Sequence, residues 1–273
     1  MNKWLKITRP VNGFMGFFSI YIVGFIAVNV HILKFLIPVS LGAISVFLVT
    51  AGGNIINDIS DLETDKYNHP ERPLPSGTIS KKLAYYMALS FFIGGFLVSI
   101  FVSLLISSVV ILAELLLVSY EFKTKKMGLP GNITISLLIG MIFLYGGFIT
   151  NTLSKMVLLF LLAFFSNMSR EIMKDIEDVR GDVDRNTLPK RIGIQNAKII
   201  SSIFVIITIL ISFLPYYFHV LSVYYLYAVF HRRFSVCTYY HLYLYKYIKG
   251  PGNIKGGNDL GYGMLSAGRV LTI

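Results

Sequence analysis

One residue of the 273 is cysteine, five are histidine and only 14% are charged. Cys237 has no partner for an internal disulfide, so no covalent staple holds the fold. His31, His219, His231 and His241 stand at no metal-ligand spacing with one another, and His69 sits in a proline-flanked loop, so the histidines point to no metal site. So low a charge fraction, with a mean hydropathy of +0.66, excludes an ordinary soluble domain. The opening "MNKWLKITRP" lacks a short apolar core with a small-residue cleavage site, so the first apolar run is expected to stay in the protein.

What the chain has in quantity is long apolar runs, near residues 12–30, 35–56, 83–104, 107–122, 131–150, 155–173, 196–214 and 216–231. Most have the length that crosses a bilayer as a helix. Lipid offers no hydrogen-bond partner to the backbone, so each run must satisfy its own amides and carbonyls. The expected fold class is therefore all-α, a polytopic transmembrane helical bundle, with residues 1–273 forming a single membrane-embedded domain.

The basic residues give an orientation. With the N-terminus in the cytoplasm, seventeen of them fall on that side over the first seven runs, and only Lys34 and Lys155 on the other. Twelve of the fourteen acidic residues share the cytoplasmic side, the exceptions being Glu114 and Asp259. About half of the net charge of +11 is accounted for by this topology and by contact with anionic lipid head groups. Nucleic-acid binding would need a soluble basic face, which the chain lacks.

The acidic residues are not scattered. In "NDISDLETD", residues 57–65, Asn57, Asp61 and Asp65 are spaced i, i+4, i+8, and Asp58, Asp61 and Asp65 are spaced i, i+3, i+7, so either set falls on one helical face. In "KDIEDVRGD", residues 174–182, Asp175, Asp178 and Asp182 repeat the spacing, and Glu171 extends that face by a turn. The two copies end the second and sixth apolar runs, and so lie on one side of the membrane. Unit charges about 4 Å apart repel by roughly 4 kcal/mol at an effective dielectric near 20, so such faces call for a cationic partner. All-oxygen donors suit Mg²⁺, which binds few carboxylates and completes its shell with water and substrate phosphate.

The run "NDISDLETDKYNHPERPLPSG", and much later "REIMKDIEDVRGDVDRNTLPKRIG", resemble the paired aspartate-rich motifs and flanking loops of the UbiA superfamily of intramembrane prenyltransferases. The resemblance takes in "TRPVN" at 8–12 and "YEFKTKKMGLPGN" at 120–132, and covers residues 1 to about 215. It implies that Mg²⁺ held by Asp58, Asp61 and Asp65 and by Asp175, Asp178 and Asp182 binds the diphosphate of an allylic prenyl donor, with Asp61, Asp65, Asp178 and Asp182 as the catalytic core. It implies diphosphate contacts from Asn57, Arg72, Lys125, Lys126 and Lys174, and acceptor contacts from Arg9, Asn12 and Tyr120. The wording of the second motif is most similar to the branch that adds a second geranylgeranyl chain to geranylgeranylglyceryl phosphate, a lipid phosphate acceptor, in archaeal ether-lipid synthesis. The family often carries a tyrosine and a lysine four residues apart at the end of the fourth span. Here Tyr120 is followed by Thr124, which leaves Lys123, Lys125 and Lys126 to share that role.

Other readings compete. Prenylation of an aromatic quinone precursor such as 4-hydroxybenzoate would use the same machinery. A divalent-cation transporter would explain carboxylates without catalysis, but a conduction path needs sites near the midplane. A CDP-alcohol phosphotransferase needs D-G-x-x-A-R, which neither acidic run has. Glu114, inside "VVILAELLLVSY", is expected to make a structural hydrogen bond. The family norm is nine spans, eight are clear here, and no ninth follows: residues 250–268 carry seven glycines, and His231, Arg232 and Arg233 interrupt the eighth. A frame error beyond about residue 230 would explain residues 231–273, the alternative being a genuine divergent tail.

Overall fold

The computed structural model of the chain describes residues 3–180 and 186–227. Among these the regular structure is helical throughout. A short helix α1 (Lys3–Thr8) leads into α2 (Pro10–Val28), and a 3-10 segment (Asn29–Phe35) returns the chain to α3 (Leu36–Ser60). Then come α4 (Leu62–Asn68), α5 (Lys81–Ile100), α6 (Leu104–Phe122), α7 (Leu129–Ile149), α8 (Leu153–Glu177), α9 (Leu188–Ile192), α10 (Ile194–Ile211) and α11 (Leu214–Tyr217). Six stretches are long and apolar enough to span a membrane; the first, Pro10–Ser60, contains both α2 and α3, so seven helices of spanning length are described.

The ends of these helices follow their local chemistry. The Ser80 and Ser103 hydroxyls accept from the amides of Leu83 and Ile106, capping α5 and α6. Pro10 and Pro130 sit in the first turns of α2 and α7, where a missing N–H costs nothing. Helices α3 and α8 run beyond the apolar stretches read from sequence and into the acidic motifs, because Asp58 and Asp175 are buried and partnered there.

With lipid outside, the helices associate through small residues and buried polar contacts. A Cβ on Gly52 would lie 2.7 Å from the Phe92 ring, and one on Gly95 2.8 Å from Val49, so α3 and α5 meet backbone to side chain. The Ser45 hydroxyl donates to the Gly95 carbonyl at 2.8 Å across that contact, Asn167 on α8 donates to Ser136 on α7 at 3.0 Å, and Ser169 and Ser201 link α8 to α10 at 3.0 Å. Helix α3 packs against α2, α5, α6 and α7, and α8 is held between α7 and α10.

The eighth expected span begins differently. After α11 the chain turns over residues 218–222 with His219 at φ 53°, the amides of Val220 and Leu221 both donating to the Pro215 carbonyl. Residues 223–227 are again helical. By its internal contacts the chain divides into a unit Met1–Ser222, which holds every helix named above, and a unit Val223–Ile273. The interrupted eighth run beyond residue 227 and the glycine-rich tail lie outside the described residues.

Candidate active site

The first motif is built around a corner. Arg9, between α1 and α2, has φ 46° and ψ 64°, a left-handed conformation unusual for a residue with a side chain. The corner is pinned by Asn54, whose amide donates to the Thr8 carbonyl at 3.0 Å, and the Arg9 guanidinium pairs with Asp58. Asp58 is only 2% exposed. Asp61 is the hinge between α3 and α4, where its amide still donates to the Asn57 carbonyl at 2.9 Å and its own carbonyl accepts from Asp65 at 2.8 Å. The acidic run thus keeps its helical stacking through the hinge.

Each carboxylate of this motif has its own cation. Arg72 donates to Asp65 at 2.6 Å, and the loop that carries it is fastened by Leu74 and Ile79, which are buried against Ile7, Ile55 and Ile59. Lys125, from the α6–α7 connector, donates to both oxygens of Asp61 at 2.9 and 2.8 Å and to Glu121 at 2.9 Å. Asn57 donates to Asp61 at 3.2 Å and to Glu121 at 3.0 Å. The repulsion expected from stacked carboxylates is therefore offset within the chain by Arg9, Arg72 and Lys125.

The second motif sits at the end of α8. Asp175 is buried and accepts from Asn132 on α7 at 2.9 Å, while Asp178, which follows the last residue of α8, is exposed. The α6–α7 connector joins the two motifs, with Lys125 on the first and Asn132 on the second. It packs tightly on itself and on the segment after the second motif. The Asn186 amide donates to the Lys126 carbonyl at 3.1 Å, and a Cβ on Gly128 (φ 73°) would lie 2.7 Å from the Asn186 carbonyl oxygen.

From Asn57 and Glu121 a cavity of about 380 Å³ runs between α3, α6 and α7, lined mostly by Val, Leu, Ile and Met, with Tyr120 and Asn54 near its mouth. The one charged residue of the lining, Glu121, is paired with Lys125, so a polar end opens into an apolar chamber, a shape that suits an amphiphile.

The sequence profile of the UbiA prenyltransferase family matches residues 14–251. The chain belongs to this family. A digeranylgeranylglyceryl phosphate synthase from Methanosphaera stadtmanae is 37% identical over 83% of this chain and 82% of its own length. A solved structure concerned with digeranylgeranylglyceryl phosphate synthase in membranes is 31% identical, with a TM-score of 0.79 over 89% of this chain and 86% of that one. The structure of a UbiA homologue from Archaeoglobus fulgidus bound to GPP and Mg²⁺ shares the fold, with a TM-score of 0.65 at 16% identity and all of both chains covered. The chain is thus a multi-pass membrane protein of the UbiA prenyltransferase family, and the family match reaches 20 residues past the point where the sequence resemblance to spans breaks off at 231.

Within this UbiA-family chain the expected site residues divide. Asn57, Asp61 and Lys125 share one hydrogen-bonded network with Glu121, while Asp65 pairs with Arg72 and Asp58 with Arg9 beside it, so Arg9, expected to face the acceptor, is engaged with an aspartate of the first motif. Asn12 lies beside Asn54 at 3.4 Å, and Tyr120 lines the cavity. Lys126 and Lys174 are exposed and outside the network, and Asp182 lies outside the described residues. Among the described residues no three His, Cys, Asp or Glu side chains converge on one ion-sized point.

Two members were missed. Glu121 is 7% exposed and receives Asn57 and Lys125, and its spacing of four from Lys125 was the available signal. Asn132, 6% exposed, had none. Glu114 does not make the structural hydrogen bond expected through Oε1, which is buried without a partner among the described residues. The side chain sits in an apolar helix that supplies no donor of its own there.

Proposed function

We propose that this protein transfers a geranylgeranyl group from geranylgeranyl diphosphate to geranylgeranylglyceryl phosphate, with the mouth and its loops facing the cytoplasm. The observation that carries the reading is the continuity of the Asn57–Asp61–Glu121–Lys125 network with the apolar chamber between α3, α6 and α7. A diphosphate fits the first, and an isoprenoid tail the second. In the transfer the donor C1–O bond breaks, the acceptor hydroxyl oxygen bonds to C1, and diphosphate and a proton are released.

The exposed Asp178 and the half-buried Asp61, whose oxygens would exchange Lys125 for the ion, are the groups best suited to hold Mg²⁺, because Asp58, Asp65 and Asp175 are buried with partners of their own. When bound, Mg²⁺ supplies charge neutralisation for the leaving diphosphate. The chain's own part is threefold. Lys125, Arg72 and Asn57 hold the carboxylates of the mouth in place and place positive charge beside them. The chamber walls keep water from an allylic C1 that gains cationic character. The α6–α7 connector holds both acidic motifs to one geometry.

The relatives' common name supports the lipid acceptor over an aromatic acid. The test is direct: purified protein and Mg²⁺ are incubated with geranylgeranyl diphosphate and either geranylgeranylglyceryl phosphate or 4-hydroxybenzoate, and products are identified by mass. A digeranylgeranylglyceryl phosphate product is expected. Prenylated 4-hydroxybenzoate alone would place the enzyme in the quinone branch.

A further inference from the structure

We propose that Tyr145 is the floor of the tail chamber and limits the donor to roughly three to four isoprene units. The inference rests on the reading above, that the chamber takes a prenyl tail. Along α3 the lining runs from Asn57 at the mouth to Ser45, and along α6 from Glu121 to Val109. Each is twelve residues of helix, about 18 Å at a rise of about 1.5 Å per residue. An isoprene unit adds four carbon–carbon bonds of about 1.5 Å each, or about 5 Å of extended chain, so about 18 Å accommodates roughly three to four units.

The far end is closed by a side chain rather than by backbone. Tyr145 is 4% exposed and packs closely against α3, where a Cβ on Gly42 would be 3.2 Å from its Cε1. Its hydroxyl reaches toward the Gly42 carbonyl at 3.5 Å. Tyr145 shares a buried cluster with Val39, Ala43, Ile106 and Ile149, all at most 5% exposed and all farther along their helices from the mouth than the lining residues Ser45, Val109 and Tyr145, so the chamber ends against packed core. A bulky ring backed by solid packing is a stop, and removing the ring lengthens the chamber. The chamber can also be shortened: Ala113 lines it eight residues from Glu121, about 12 Å in, so a large side chain there leaves room for roughly two units.

The experiment measures the affinity of geranyl, farnesyl, geranylgeranyl and hexaprenyl diphosphates for wild-type protein, Tyr145→Ala, Tyr145→Phe and Ala113→Phe in Mg²⁺. Turnover of geranylgeranyl diphosphate with geranylgeranylglyceryl phosphate is followed in parallel. Tyr145→Ala should raise the hexaprenyl to geranylgeranyl affinity ratio at least tenfold, Ala113→Phe should move the optimum to geranyl, and Tyr145→Phe should keep the wild-type order. An unchanged order in Tyr145→Ala, or a uniform loss for every donor, overturns the floor. Should Tyr145→Ala fail to fold, the order in Ala113→Phe decides. Absence of turnover in wild type counts against the proposed reaction alone, since the affinity series needs no acceptor.

Discussion

Lys125 is held by two carboxylates at once, Asp61 and Glu121, with only 8% of its side chain exposed. A buried cation so placed depends on its partners, because removing one leaves charge uncompensated. In Glu121→Gln the oxygen that receives both Asn57 and Lys125 loses its charge, and hydrogen bonds to charged groups contribute about 1.5–3 kcal/mol. A lower melting midpoint in detergent and a raised donor KM are expected; a variant matching wild type in both would show the network to be incidental. Asp61 and Asp178 belong to opposite motifs, yet are read here as serving one step. Asp61→Asn and Asp178→Asn should each reduce kcat on the order of a hundredfold with the fold retained. The double variant should be little worse than either single one, since groups acting as a unit are non-additive. Additive losses would mean that the motifs act separately.

At the scale of elements the α6–α7 connector is the part on which the site turns. It carries Lys125 to the first motif and, four residues on, leads into α7, which brings Asn132 to the second. It is packed most tightly against Gly131 in the first turn of α7, where an added Cβ would meet the Thr124 carbonyl oxygen at 2.5 Å. Backbone cannot yield as a flexible side chain does, so Gly131→Ala should cost about 1–3 kcal/mol of stability. Any displacement of the connector reaches both motifs, so kcat/KM should fall in the folded fraction too. Gly94→Ala on α5, whose Cβ would find only Leu48 at 3.6 Å, is the matched control and should be silent by melting and by kinetics. The expected face of three aspartates also resolves at this scale. It is served from three elements: the α1–α2 corner, the loop after α4, and the connector.

For the whole molecule the asymmetry of basic residues predicts an orientation that labelling can test. His69, beside the first motif, and Asn151, between α7 and α8, are both exposed. In a Cys237→Ser background, His69→Cys should react with an impermeant maleimide only in inverted vesicles, and Asn151→Cys only in right-side-out ones. The reverse pattern would put the acidic mouth outside the cell.

The sequence by itself determined the seven described spanning helices to within a few residues, the all-α class, and the presence of two acidic motifs. It did so because hydropathy and helical spacing are local: a run of twenty apolar residues has one solution in lipid, whatever lies far away in the chain. Only the tertiary structure decided which cation serves which aspartate. Arg9 and Asp58 are 49 positions apart, Lys125 and Asp61 are 64 apart, and Asn132 and Asp175 are 43 apart. Glu121 joined the network, and Tyr145 came to close a chamber, through helix packing that places distant side chains within a few ångströms. The break after α11 is of the same kind. Composition promised an eighth helix from residue 216, whereas the Pro215 carbonyl takes the amides of Val220 and Leu221, and His219 turns the chain. Periodicity reports which face a residue occupies, but not what the folded chain brings to that face.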